Sequence, residues 1–588
     1  MVKRVSFGSS NVLEKKGLPV WRSRLVLFGL MLAFGGLVTR AAYLQIISDD
    51  FLKQQGAKRM ERTLPLKANR GTLVDRNSKM LAQSVPAQTV WYDSRVIVKA
   101  TDDQLRQVAR LLKQKEEPLI QKVRKDKRHY AYLDRQVDSV LAQKIKDLKV
   151  PGVNFTTESK RSYPQGETLA HLVGFTDVED KGQEGVELAF NDKLTGEDGE
   201  RSVIRDRLGN VIDEVRELRP PIDGENLTLS VDADIQYIVL SELRKIVQTH
   251  NAKAAGAVVL DAKTGELLAM ANIPTYDPNN RNALYGPKLR NRVFTDMFEP
   301  GSTMKPFAVA LALDKGNVTP STRIDTLGGR MRIGSAVISD AHAHGVMTVE
   351  EIIQKSSNIG TTRMALDIPS KEMWDFFHLV GFGKAPAVKF PGSVAGVVRP
   401  WNKWKPIEQA TMSYGHGITV SLIQMAQAYT IFANNGYWMP VRITKLGEGE
   451  KPEGHQAIKP KTAAQMLKML EMAAGPGGTA PKSQVQGYRV AGKTGTAHKQ
   501  EGGRYVNKYL SSFVGLAPVS NPRVIVAVMV DEPGNGVYYG GAVAAPVFST
   551  ITKSVLNKMS VEPDALLSPI DSRSLVSAPH SATVGAKL

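Results

Sequence analysis

The chain has 588 residues with 42% apolar and 23% charged, a globular balance too long for one core, so two or more domains are expected and wholesale disorder is excluded. Cysteine is absent, which excludes disulfide scaffolds, thiolate zinc sites, iron–sulfur clusters and cysteine nucleophiles together. The formal charge is +19, yet no zinc-finger spacing, Gly-rich phosphate loop or RNA-binding aromatic signature accompanies it, so nucleic acid is not an expected partner.

The charge is concentrated at the start, where the first 60 residues carry ten Lys/Arg against three Asp/Glu. From Leu25 to Thr39 no residue is charged, and apolar character resumes after Arg40 as far as Ile47. Leu25 to Ile47 spans about 34 Å as a helix, enough for the hydrocarbon core of a bilayer. Lys3, Arg4, Lys15, Lys16, Arg22 and Arg24 precede it, opposed only by Glu14. By the positive-inside rule residues 1–24 form a cytoplasmic tail, 25–47 a single-pass anchor, and everything after Ile47 faces outward. A cleaved signal peptide fits less well, because no small-x-small site follows and Arg40 falls where a small residue is wanted.

Residues 48–226 show short alternating runs punctuated by Gly and Pro, as at Arg70-Gly71-Thr72-Leu73-Val74-Asp75-Arg76 and Tyr163-Pro164-Gln165-Gly166, which predicts an extended α+β pedestal. Asp102 to Lys127 has helical spacing at Leu105, Val108, Leu111 and Leu112. Pro220-Pro221 and Asp223-Gly224 mark a boundary. Beyond it, Leu227–Val231 predicts a strand, and Ile235, Ile238, Val239, Leu243 and Ile246 predict a helix. Ala255–Leu260 and Glu266–Ala271 predict a hairpin across Asp261–Gly265. Strands over 489–496, 513–517 and 524–531 and a helix over 543–556 follow. Strands on either side of a helical middle point to an α/β sandwich with a mostly antiparallel sheet over 227–560, and the whole chain to an α+β multidomain protein. Residues 561–588 hold five serines and no aromatic residue, the composition of a flexible tail.

Ser302-Thr303-Met304-Lys305 follows Pro300-Gly301 and opens the apolar run Phe307–Leu313. The turn places Ser302 at a helix N-terminus, where free backbone N–H groups favour negative charge. Serine and lysine three apart share a helix face, and a lysine in a partly apolar pocket loses its proton near neutrality and becomes a base for the hydroxyl. Alone the pattern reads equally as a capping serine and a solvated lysine. Ser356-Ser357-Asn358 lies 54 positions after Ser302, and Lys493-Thr494-Gly495-Thr496 lies in a strand-like stretch beyond. Decoys exist at Ser9-Ser10-Asn11 and Lys263-Thr264-Gly265, the first in the tail and the second in a hairpin turn. Three motifs in this order, all outward of the membrane, are the signature of penicillin-interacting serine enzymes.

On these motifs, together with Arg70-Gly71 to Asp75-Arg76, Gly182 to Glu187 and Tyr538-Tyr539-Gly540-Gly541, the chain resembles the class B penicillin-binding proteins. Within them it is most similar to the division-associated penicillin-binding protein 3 group of Gram-negative bacteria. The resemblance implies an inner-membrane D,D-transpeptidase with a periplasmic catalytic domain. It would join peptidoglycan stem peptides through an acyl-enzyme at the division septum, and β-lactams would inhibit it. It implies Ser302 as nucleophile, Lys305 as base, Ser356 as proton relay, Asn358 as a group orienting Lys305 and the substrate amide, and Lys493 as a positive neighbour. Thr494, Gly495 and Thr496 would bind the substrate carboxylate, the backbone N–H groups of Ser302 and Thr496 would hold the oxyanion, and Tyr538 and Tyr539 would wall the pocket. No metal or organic cofactor is expected, and a SEDS-type glycosyltransferase and other division proteins are the implied partners.

His416, in Tyr414-Gly415-His416-Gly417, is a weaker candidate base, since Lys305 fills that role. Arg70, Asp75, Arg76, Arg161 and Glu187 read as inter-subdomain ion pairs. The rivals are a condition-specific paralogue, a D,D-carboxypeptidase, a β-lactam sensor and a non-enzymatic division scaffold. A β-lactamase fits poorly, because no E-x-x-L-N stretch follows Ser356.

Overall fold

The computed structural model describes residues 20–47, 61–205 and 211–565. Most of the expected cytoplasmic tail (1–19) and of the expected C-terminal tail (566–588) lies outside the described residues. Contacts divide the chain into two units, one of residues 1–68 and 197–222, the other of 69–196 and 223–588. The stretch read as one pedestal is thus shared between them.

In the first unit the helix Val20–Ala42 continues as a π turn over Tyr43–Ile47. It begins five residues before the expected span, and Val20–Gln45 is long and apolar enough to cross a membrane, with none of its apolar window buried in protein. The same unit contains the antiparallel strands Glu61–Leu66, Gly199–Arg205 and Val211–Arg219, with the middle one in sequence at the centre.

The second unit, whose elements are labelled here in chain order, opens with β1 (Leu73–Val74) and β2 (Met80–Tyr92). The predicted helix over 102–127 is two helices, α1 (Asp102–Leu111) and α2 (Glu116–Lys125). The break falls at Lys113, whose φ of 54° no helix interior accepts. Thr101 and Gln104 close a capping box that starts α1, and Leu105 and Val108 are fully buried. β3 (Ala131–Val137), α3 (Ser139–Asp147) and β4 (Val153–Ser162) complete this part. β5 (Leu227–Thr228), shorter than expected, pairs in parallel with β1.

α4 (Ala233–His250) starts at Asp232, whose carboxylate accepts from the backbone N–H groups of Asp234 and Ile235, and ends at left-handed Asn251. β6 (Ala254–Asp261) and β7 (Leu267–Ile273) form the expected hairpin. Near the end come β10 (Ala491–Glu501), β11 (Arg504–Ala517) and β12 (Val524–Asp531), followed by α8 (Gly540–Lys558). The five strands run in the order β7-β6-β12-β11-β10, all antiparallel. β11 is longer than the predicted 513–517, because its exposed first half pairs with β10 across the left-handed Gly502-Gly503 turn.

β6 and β12 are buried at every position. Their period-two alternation still operates: Val258, Leu260, Ile525 and Ala527 pack into one core, while Ala257, Val259, Val526 and Val528 pack into another with α4 and α8. Both faces are therefore covered, and the strands read as continuous apolar runs.

Candidate active site

Gly301 adopts φ 55°, a left-handed turn that glycine accepts without strain. It delivers Ser302 into the single 3₁₀ turn Gly301–Met304, which leads into α5 (Lys305–Lys315) with Pro306 in its first turn. The Ser302 side chain lines a cavity of about 820 Å³ together with Ser356, Asn358, Thr494, Thr496, Tyr538 and Tyr539. Lys305 and Lys493 are fully buried behind that surface.

The Lys305 ammonium donates to the Ser356 carbonyl and, at 3.0 Å, to Ser356 Oγ, rather than to Ser302. Ser356 caps the C-terminus of α6 (Val349–Lys355) in a left-handed conformation, φ 60° and ψ 44°. That strain aims its carbonyl and hydroxyl at the amine. Burial, reinforced by the nearby positive Lys493 and opposed by Asp340, holds Lys305 well below the ordinary lysine range. Burial also lowers Lys493, to about 7. The residue expected as a positive neighbour therefore holds its proton less tightly than an ordinary lysine. Its Nζ reaches the Thr494 carbonyl at 3.4 Å and Oγ1 at 3.3 Å.

α7 (Asn358–Leu366) begins where Ser357 Oγ accepts from the Gly360 N–H at 3.0 Å. Asp340 follows the β8 (Arg330–Ile333) and β9 (Ala336–Ser339) hairpin. Its carboxylate accepts from Ser357 Oγ at 2.6 Å, from the Asn358 N–H at 2.5 Å and from the Ile359 N–H at 3.1 Å. The Asn358 side-chain amide donates to the Ser339 carbonyl at 2.8 Å, not to a group on Lys305. Its remaining oxygen is an acceptor at the cavity wall.

β10 packs against the Ser302 turn. A Cβ added at Gly495 would collide with Ser512 Oγ and meet the Pro300 carbonyl at 2.9 Å, so only glycine permits this approach. Thr494 Oγ1 pairs with Thr479 Oγ1 at 2.9 Å, and Thr496 Oγ1 accepts from the Gly540 N–H at 3.0 Å. The Tyr538 ring stacks on Tyr509 at 3.9 Å and lies 4.7 Å from Tyr539, forming an aromatic side to the cavity. His416 also lines it, and burial holds its pKa below the usual imidazole value.

The expected ion pairs divide into two kinds. Glu187 is bound by Arg70 and Arg161, each at 2.7 Å, all three side chains almost inaccessible and all within residues 69–196. Arg76 reaches across to Glu266 at 3.5 Å. Asp75 forms no ion pair among the described residues and instead accepts from the Asn77, Lys79 and Ala233 N–H groups.

Sequence reasoning missed Asp340, Thr479 and Tyr509. None belongs to a motif, and only the fold brings them to the three motifs. Just before the Pro300-Gly301 turn, the Glu299 carboxylate accepts from the Gly417 N–H at 2.8 Å and from Tyr505 OH at 3.0 Å. Among the described residues no group of three or more His, Asp or Glu is arranged to hold a metal ion.

Comparison with known proteins gives two family matches: the penicillin-binding protein transpeptidase domain over residues 255–553, and the penicillin-binding protein dimerisation domain over 65–229. The chain is 41% identical to the probable peptidoglycan D,D-transpeptidase PenA of Neisseria meningitidis over 92% of its own length and 93% of that protein. It is 39% identical to the peptidoglycan D,D-transpeptidase FtsI of Escherichia coli, covering 93% of each. A solved transpeptidase domain of Burkholderia pseudomallei penicillin-binding protein 3 is 47% identical, with TM-score 0.54, over 57% of this chain and 98% of that one.

Proposed function

We propose, from the premise that this chain belongs to the class B penicillin-binding protein family, that it is a peptidoglycan D,D-transpeptidase working through an acyl-enzyme on Ser302. The observation that carries the reading is the fully buried Lys305 amine, held by Ser356 directly behind the cavity that Ser302 lines. Neutral Lys305 takes the Ser302 hydroxyl proton as Oγ attacks the carbonyl carbon of the penultimate D-alanine. The Ser302 and Thr496 N–H groups receive the oxyanion, each such donor contributing about 3 kcal/mol of transition-state stabilisation. The scissile C–N bond breaks, and the proton passes from Lys305 through Ser356 to the departing D-alanine amine. An amine of a second stem peptide then attacks the ester, forms the cross-link and restores Ser302.

In this reading Thr494 and Thr496 receive the terminal carboxylate, with Gly495 allowing the strand to approach. Asn358 orients the substrate amide through its free oxygen, and Tyr538 and Tyr539 flank the bound peptide. Residues 25–47 are the anchor, with residues 1–24 cytoplasmic, 48–226 the pedestal and 227–560 the catalytic domain in the periplasm. Septal cross-linking, β-lactam inhibition and partnership with a SEDS-type glycosyltransferase follow from the same family reading. Mass spectrometry after benzylpenicillin treatment tests it. One penicilloyl adduct is expected on the peptide containing Ser302 and none in Ser302→Ala; an adduct elsewhere overturns the assignment.

A further inference from the structure

The cavity wall carries Lys355 and Lys482 but no Asp or Glu. Asp340, beside the lining residues Ala341 and Asn358, is occupied by Ser357 Oγ and two backbone N–H groups at the start of α7. Lys355 is exposed, and its Nζ donates to the Gly477 carbonyl at 2.8 Å. Lys482 is exposed in the short 3₁₀ turn Pro481–Ser483, three residues after Thr479. Among the described residues neither lysine forms an ion pair, whereas Lys468 pairs with Glu350 and Arg489 with Glu471. A terminal carboxylate bound at Thr494 and Thr496 leaves both lysines free for a second anion, although Glu351, one turn before Lys355, feels its charge. A cleft lined by one sign of charge concentrates and orients ligands of the other sign.

We propose that Lys355 and Lys482 form a second anion subsite, which selects acyl donors bearing a free carboxylate on the acyl side of the scissile bond in addition to the terminal one. The subsite rests on the reading of Ser302 as nucleophile and deepens it, because it names the substrate class. A donor whose side-chain carboxylate is amidated loses this contact and keeps all the others. Lysine suits such a role, being a mobile point charge that follows a carboxylate on a flexible side chain without demanding a planar, two-pronged fit.

The test uses two penicillins differing by one group: benzylpenicillin, and carbenicillin, which adds a carboxylate to the acyl side chain. Second-order acylation rates are measured by mass spectrometry for the full-length protein and for Lys482→Gln, Lys355→Gln and Lys355→Arg. The ratio of carbenicillin to benzylpenicillin rates is expected to fall roughly three- to tenfold in each Gln variant, as loss of a partly shielded charge contact predicts. The benzylpenicillin rate should stay within about twofold of wild type and Lys355→Arg should restore the ratio, because neither change touches the Ser302 reaction. In the wild-type protein the ratio should decline as salt screens the contact. Among the described residues the Lys482 side chain makes no hydrogen bond or ion pair, so its variant reports on the subsite even if Lys355→Gln loosens the Gly477 loop. An unchanged ratio with normal benzylpenicillin labelling removes the subsite alone, as does an equal fall with both drugs. Absence of any adduct on wild-type protein removes the nucleophile reading, and the subsite with it.

Discussion

At position 305 an amine is held where water cannot reach it, and its proton affinity decides when the enzyme works. In the proposed mechanism the neutral form is the base, so acylation should be lost as pH falls through the lowered pKa of Lys305. Lys493 is one of the charges that lowers it. Lys493→Gln should therefore move the acid limb of the acylation profile to higher pH, besides reducing the maximal rate; benzylpenicillin acylation rates measured between pH 5 and 9 show the shift, and an unmoved limb contradicts it. The same residue leaves a mark on stability. Its folded pKa of about 7 lies below its unfolded value of 10.5, so the unfolded chain binds more protons between the two. Stability should accordingly rise from pH 7 towards 10.5, and Lys493→Met should flatten that rise in melting temperature. The three motifs that the fold brings to one cavity were legible because their residues sit at short spacings. The direction of the Asn358 amide and the lowered pKa of Lys493 were not, since both depend on groups distant in sequence, Ser339 in one case and a buried environment in the other.

At the scale of elements, the decisive contact is that of β10 with the Ser302 turn. Gly495→Ala inserts a methyl group against Ser512 and Pro300, and such overpacking costs about 1–3 kcal/mol. The variant should unfold at lower denaturant and acylate at least tenfold more slowly, because the strand that presents Thr496 is pushed away from the nucleophile; kinetics and urea melts on one sample check both. The hairpins and the terminal helix were visible from apolar runs, turn residues and alternation. The 102–127 region was misread as continuous because its apolar period survives the break, while the reversal at Lys113 involves neither proline nor glycine. β11 was truncated in the reading because the exposed half of a hairpin has no apolar signature.

Across the whole molecule, two architectural commitments stand out. One is Glu187, a carboxylate buried between two guanidinium groups. Removing one partner of a buried pair costs about 3–5 kcal/mol, because the remaining charges lose their compensation. Glu187→Gln should lower the denaturant midpoint accordingly, while folded protein still reacts with benzylpenicillin at the wild-type rate. The other is the N-terminal apolar helix. Deleting residues 1–47 should release the protein from detergent dependence and preserve acylation; sedimentation and labelling in buffer alone measure this.

The parallel pairing of β1 with β5 joins segments far apart in the chain, with Thr72 and Asn226 beside it separated by 154 residues. At ribosomal rates of about 5–20 residues per second, that interval takes on the order of ten to thirty seconds to synthesise. Throughout it β1 has β2 as its only sheet neighbour, and the edge that β5 will occupy stays open to other strands. Wrong pairing at this edge is therefore expected to be most frequent before residue 228 has emerged, which limited proteolysis of ribosome-bound chains of increasing length would reveal.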